Sequence, residues 1–402
     1  MRKSRTIAVL VGAAVASLSL AGCSGASTGG TSGGAKSLTV EDYYAAPYNA
    51  IYQKCGKQVG AKITINHVAG AGLIAKVLQQ ASSRTLPDVL MLDNPDIQQI
   101  AASGALSPLS DYGLSGKGDV PAVTAAGSYK GKLIGLEPVT NSIALYYNVK
   151  LLKAAGVTPP KTWDELRAAA KKLTKDKTYG FAMSNINTYE GTWQFLPFFW
   201  SNGGDEKNIA TAQAAQALQF VVDLQNDGSM SKSSISWAQA DVNNQFIAGK
   251  AAMMINGPWQ LPALKAVKGL QFASVPIPTR TGGAPVAPLG GEAFTVPVTK
   301  SKDTMALAGK FVGCLNDPKM QSYIAGVTGN VPTNEVAADA WAKTHPDVAS
   351  FVTTTKTARA RTGELGEAWP KAATKIYTAV QAALTGKAAP MAALKSAQSQ
   401  SQ

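Results

Sequence analysis

Asp88-Val89-Leu90-Met91-Leu92-Asp93-Asn94-Pro95 reads as a buried apolar strand that stops on a carboxylate and an amide, at the edge where α/β sheets present their ligands. An ionised Asp93 can accept two hydroxyl protons, and such charge-assisted bonds are among the stronger ones. Asp93 or Asn94 can equally cap the helix that Pro95 begins. Asp93, Glu190 and Glu292 supply enough carboxylates for the acid pair of a glycoside hydrolase, yet no motif sets two of them at working distance. Paired tyrosines suit a ferric site, but in Tyr146-Tyr147-Asn148 strand alternation sends the two rings to opposite faces. His67 and His345 are far apart and lack metal-ligand spacing, which argues against a zinc site or a histidine-based triad. Nothing in the sequence calls for a cofactor or a metal.

These groups are expected to work outside the cell. Arg2, Lys3 and Arg5 precede an apolar run from Ile7 to Leu20, and Leu20-Ala21-Gly22-Cys23 closes it. The run is too short for the roughly 20 residues of a spanning helix and has the layout of a secretory signal. Leu20-Ala21-Gly22-Cys23 resembles the bacterial lipobox, in which the cysteine thiol receives a diacylglycerol and becomes the first residue after cleavage. Ser24 to Ala35 contains no charge and no bulky apolar side chain, so it reads as a flexible leash. Residues 1–22 are thus read as a leader and 23–36 as the lipidated Cys23 with its linker, holding the protein on the membrane surface.

Loss of Arg2, Lys3 and Arg5 takes the formal charge from +13 to +10 (13 − 3). The remaining basic residues are scattered, and the densest group, Lys171 to Lys177, ends a helix where cations meet the dipole favourably. No nucleic-acid partner is expected.

The elements that must position the candidate groups alternate short apolar runs with helical patterns, the rhythm of an α/β protein. Strands are expected at Leu38 to Val40, Lys62 to Val68, Asp88 to Leu92, Leu133 to Leu136, Ile143 to Tyr147 and Ala251 to Ile255. Helices are expected at Tyr48 to Gln58, Leu73 to Ser82, Ile97 to Ser103, Thr211 to Asn226 and Asn243 to Gly249. Thr162-Trp163-Asp164-Glu165 is a capping box that starts a helix running to about Leu173. Helices resume near Asp303 and dominate to a polar tail, 397–402.

Three segments in order carry a family likeness. They are Gly131-Lys132-Leu133-Ile134 through Tyr147-Asn148 to Pro160-Lys161-Thr162-Trp163-Asp164-Glu165-Leu166; Asn202-Gly203-Gly204; and Gly249-Lys250-Ala251-Ala252-Met253-Met254-Ile255-Asn256-Gly257-Pro258-Trp259. Together they resemble the extracellular solute-binding proteins of ABC importers, the sugar-binding group that includes maltodextrin receptors. The resemblance implies a type II, two-lobe α/β architecture, with one lobe at 37–140 plus 292–338 and the other at 141–291 plus 339–396. It implies a carbohydrate held between the lobes, delivery to an ABC permease, a monomer, and no chemistry on the ligand. The chain would cross between lobes near Asn141, near Gly290-Gly291 and around Glu335 to His345. Cys55 and Cys314 would both fall in the first lobe; their placement on helices favours two free thiols over a bridge.

The resemblance also assigns roles at the site. Sugars present hydroxyls at the ring edge and apolar C–H faces, so aromatic platforms and planar hydrogen-bonding side chains are required. Asn256-Gly257-Pro258-Trp259 would project the Trp259 indole into the cleft, with Gly257 letting the backbone approach the ligand. Trp193 lies in a segment like the one that gives maltodextrin receptors an acid and aromatic contacts; Trp200, seven residues on, shares its helical face, and one of the two belongs to the core. Tyr43 and Tyr44 follow the first strand and would line the cleft with Asp93 and Asn94. Asn141 stands where maltodextrin receptors carry an acid, and Glu292 sits at the second crossing. Arg361 and Trp369 lie in the region that would close over the sugar.

Overall fold

The computed structural model describes residues 36–400 apart from 45 and 300; the lipobox at Cys23 and its leader lie outside the described residues. One sheet runs in the order Val331–Pro332, Val139–Asn141, Pro288–Thr295, Val89–Asp93, Lys36–Asp42 and Ala61–His67. Lys36–Asp42 lies parallel to both of its neighbours, whereas Pro288–Thr295 returns antiparallel to Val89–Asp93. The run Val89 to Leu92 is buried on both faces. Val89 and Met91 meet Tyr52, Phe294 and Phe311, while Leu90 and Leu92 meet Leu73, Val77, Ile97 and Ile100. A strand packed on both sides has no alternation to display, which is why this one reads as a continuous apolar run.

A second, antiparallel sheet has the order Phe272–Val275, Ala144–Asn148 and Met253–Asn256. Here Leu145, Met253 and Ile255 face one apolar cluster, and Ala144, Tyr146 and Met254 face another. Tyr146 is fully buried and donates its hydroxyl proton to the Gly257 carbonyl at 3.1 Å. The helix Trp163–Leu173 begins on the expected capping box: Glu165 N–H donates to Thr162 Oγ1 at 3.1 Å, and Thr162 N–H donates to Glu165 Oε2 at 3.2 Å.

The strand Val139–Asn141 lies between two others, with Asn141 opposite Gly290, and Thr140 opposite both Gly291 and Val331. Thr140 and Ser142 hydroxyls donate to the carbonyls of Gly290 (2.7 Å) and Pro288 (2.8 Å), so the segments are tied by side chains as well as by the ladder.

One expectation is corrected. Cys55 and Cys314 form a disulfide. The helices Pro47–Val59 and Lys302–Leu315 pack side by side over the same apolar cluster, which brings the two α-carbons to 5.8 Å, within the range a bridge needs. Helical placement does not prevent pairing when two helices share a face. No helix among the described residues is long and apolar enough to cross a membrane.

Candidate functional site

Glu292 and Asp93 are cross-strand partners. Immediately after the neighbouring strand Lys36–Asp42, Tyr43 and Tyr44 reach across and donate to the same carboxylate, at 2.8 Å to Glu292 Oε1 and 2.7 Å to Oε2. Burial pushes the Glu292 carboxyl up and the Asp93 charge adds to that, while the two phenols pull it back. The turn that carries the tyrosines is itself anchored, because Asp42 accepts from the Tyr52 hydroxyl and bonds the His67 ring. Tyr44 stacks on Tyr48 with ring centroids 3.5 Å apart.

Arg361 joins this group through Asp93. Its guanidinium forks the Asp93 carboxylate, Nη1 to Oδ2 at 2.8 Å and Nη2 to Oδ1 at 2.5 Å, and Nη2 also donates to Asn94 Oδ1 at 2.9 Å. The same guanidinium lies 4.6 Å above the Trp193 ring. Two residues earlier, Arg359 repeats the arrangement: it lies 4.7 Å above Trp200 and donates to Glu206, which in turn accepts from the Trp200 indole at 3.0 Å. The repeat follows from geometry. Residues seven apart share a face of the helix Tyr189–Ser201, which offers both indoles to one segment; Arg359 opens the two-residue strand Arg359–Ala360 and Arg361 lies in the turn after it.

The expected choice between Trp193 and Trp200 therefore resolves differently. Both are almost fully buried, at 6% and 4% exposure, and both serve an arginine. Trp193 has one ring face under Arg361 and its edge against Gly290, at a spot where a side chain on residue 290 would collide. Trp369 is 2% exposed, beside Trp200 in the apolar core, and is not brought to the group. Asn141 is buried opposite Gly290, its carboxamide oxygen filling the space that the missing side chain of Gly290 leaves.

Trp259 is half-buried and packs on the same apolar cluster as Trp193. Gly257 lies against the Trp259 ring. Its α-carbon is covered by the Trp259 indole, which a methyl group at 257 would strike, so the glycine is a seat for the tryptophan. Asn256 fixes the turn by donating to the Gln239 carbonyl at 2.9 Å and accepting from Gly257 N–H at 3.1 Å.

The sequence reading missed two acids. Glu137, 1% exposed, places its carboxyl against Gly291, whose φ of +153° and lack of a side chain accommodate it. Burial, then the charges of Glu292 and Asp93, hold the Glu137 carboxyl well above the usual range. Asp96, just beyond Asn94, is pushed up to about 7 by burial and by Asp93. The signal available for Glu137 was a lone acid ending the apolar run Leu133 to Leu136. Glu190, by contrast, acts locally, its carboxylate accepting the Gln239 N–H at 2.8 Å at the start of the helix Gln239–Ile247. Asp93, Glu190 and Glu292 are thus each engaged with a different partner.

A cavity of about 340 Å³, lined by Gln98, Ala360, Thr362 and Gly366 among others, borders the segment around Arg361. Another of about 650 Å³ lies between the helices Ala212–Asn226 and Trp369–Leu384 and the following turn, and none of the residues above lines it.

Residues 50–350 match the family model described as bacterial extracellular solute-binding protein. Curated relatives include a maltooligosaccharide ABC transporter solute-binding lipoprotein of Streptococcus pneumoniae, 26% identical over 83% of this chain and 81% of the relative. The maltodextrin-binding protein MdxE of Bacillus subtilis is 26% identical over 92% of this chain and 91% of its own. Among solved structures, the GacH receptor of Streptomyces glaucescens superposes with a TM-score of 0.80 at 24% identity, covering 90% of this chain and 97% of the receptor. Maltose-bound MalE3 of T. maritima gives 0.81 at 24% identity, over 90% of this chain and 98% of MalE3. The fold is the two-lobe, type II solute-binding architecture.

Proposed function

The chain belongs to the bacterial extracellular solute-binding protein family, and on that premise we propose that it captures a carbohydrate between its lobes and delivers it to the permease of an ABC importer. The single observation that carries the reading is the convergence of Tyr43 and Tyr44 on Glu292, opposite the strand end at Asp93, in a chain whose relatives are named for maltooligosaccharides and maltodextrins. Carboxylate and phenols supply hydrogen bonds to hydroxyls, and an indole supplies an apolar ring face. We assign Tyr43, Tyr44, Glu292 and Trp259 to ligand contact, Asn141 and Asn94 to its support, and Arg361, Asp93 and Trp193 to the wall.

Ligand contact from both lobes would favour the closed form, which is what a permease recognises; differential contact is the only thing that can shift such an equilibrium. No catalytic step is assigned, because Asp93, Glu190 and Glu292 are each held by other groups. We take the lobes as 37–140 with 292–338 and 141–291 with 339–396, and the tether as a lipid on Cys23. Two acyl chains hold a protein at a membrane far more firmly than one. A monomer suffices for capture and delivery. Titration calorimetry against a panel of mono- and oligosaccharides that includes maltotriose tests the reading: saturable binding supports it, and silence across the panel removes it.

A further inference from the structure

Arg361 is held by groups of the kind a ligand would use. Its guanidinium covers an indole face, forks a carboxylate and touches an amide oxygen, and it is 6% exposed with no hydrogen-bond partner for its Nε among the described residues. The Asp93 charge helps raise the carboxyls of Asp96, Glu137 and Glu292, and the Arg361 cation opposes that rise at each of the three.

The backbone that carries Arg361 is fixed by other means. Arg359 and Ala360 pair in parallel with Pro288 and Leu289, Arg359 N–H donates to the Ala287 carbonyl at 2.8 Å, and the Arg359 side chain is clasped by Trp200 and Glu206. Removing the Arg361 side chain therefore leaves its α-carbon where it is. It uncovers a space with an indole floor and the Asp93 and Asn94 oxygens at one end.

We propose that Trp193, Asp93 and Asn94 form a subsite that the chain plugs with its own Arg361, so that Arg361 sets how long a carbohydrate the cleft accepts. The plug reproduces the two demands of a sugar subsite, a flat apolar floor and paired acceptors for hydroxyl donors. A guanidinium fits it because the planar fork matches a carboxylate while its face stacks on the ring. The vacated subsite should accept a small planar cation and, in the extended cleft, one further sugar ring.

The first test needs no carbohydrate. Guanidinium ion at low millimolar concentration, applied to the full chain carrying Arg361→Ala, should raise its melting temperature by several degrees, with no such rise in wild type or in the double variant Arg361→Ala/Asp93→Asn. If Arg361→Ala folds only when guanidinium is present during refolding, that dependence supports the subsite equally. An equal response to guanidinium in all three proteins overturns the proposal.

The second test rests on the carbohydrate reading. Across maltose, maltotriose and maltotetraose, Arg361→Ala should gain about tenfold for the longest member relative to the shortest when compared with wild type. Arg361→Met keeps an apolar plug over Trp193 and should show no such gain. A uniform loss at every chain length assigns Arg361 to ordinary ligand contact and overturns the plug. If none of these sugars binds either protein, the carbohydrate reading fails while the guanidinium result still decides the subsite.

Discussion

Arg361 and Trp193 meet face to face, guanidinium over indole at 4.6 Å, while both terminal nitrogens of that arginine bond Asp93. One side chain thereby joins the end of the strand Val89–Asp93 to the helix Tyr189–Ser201. The pair is almost wholly out of water, so its worth lies less in its attraction than in the cost of breaking it.

Arg361→Met leaves Asp93 charged beside Glu292, with no fork to receive it. Truncating one partner of a buried pair costs about 3–5 kcal/mol, and the low end applies because Asp93 keeps 21% of its side chain exposed. The denaturant midpoint should drop accordingly, at unchanged slope. Adding Asp93→Leu should return much of the loss, since an apolar pair of similar volume carries no stranded charge. A double variant no more stable than the single one would contradict the electrostatic account.

The Cys55–Cys314 bridge spans 259 residues of sequence. Closing so long a loop restricts the unfolded chain strongly, and typical native bridges contribute about 2–4 kcal/mol. Replacing both cysteines by alanine should lower the melting temperature of the oxidised protein to that of the reduced wild type, and reductant should then have no further effect. Reductant that leaves the wild-type midpoint unmoved would show that the bridge does not form.

Local chemistry was plain in the sequence; contacts between distant segments were not. The box Thr162/Glu165 and the stop at Leu173 appear as read, because both partners lie within one turn. Thr211, the expected start of a helix, caps the helix Ala212–Asn226 for the same reason. Asp93 could be named from a strand end and Glu292 from its place after Gly290-Gly291, but that they are cross-strand partners depends on Pro288–Thr295 returning beside Val89–Asp93 from nearly two hundred residues away. The pairing of Arg359 with Trp200 and of Arg361 with Trp193 depends on the segment Arg359 to Arg361 lying along the helix Tyr189–Ser201, which neither segment encodes alone. The packing of the Trp259 ring onto Gly257 was not legible, because it depends on how the turn folds the ring back over its near neighbour.

Trp259 and Gly257 form one device. Trp259→Ala removes the indole; Gly257→Ala keeps it but puts a methyl group where the ring lies. Both should weaken maltotriose binding more than tenfold, a loss above about 1.4 kcal/mol, in proteins that keep their secondary structure by circular dichroism. Normal affinity in Trp259→Ala would take Trp259 out of the site, and normal affinity in Gly257→Ala alone would show that the ring tolerates displacement.

Asp96 sets a pH window for stability. Burial raises its carboxyl most, the Asp93 charge raises it further and Arg361 opposes both, leaving it at about 7 against an ordinary value of 3.8. The native state therefore holds a proton that the unfolded chain gives up, and stability must fall as pH rises through that interval. Glu137, raised first by burial and then by Glu292 and Asp93, acts with the same sign. Asp96→Asn cannot titrate, so its melting temperature relative to wild type should climb between pH 3.8 and about 7 and level off above. Adding Glu137→Gln should extend the climb to higher pH. Melting curves that keep a constant gap across this range would mean that Asp96 ionises as freely in the folded protein as in the unfolded chain.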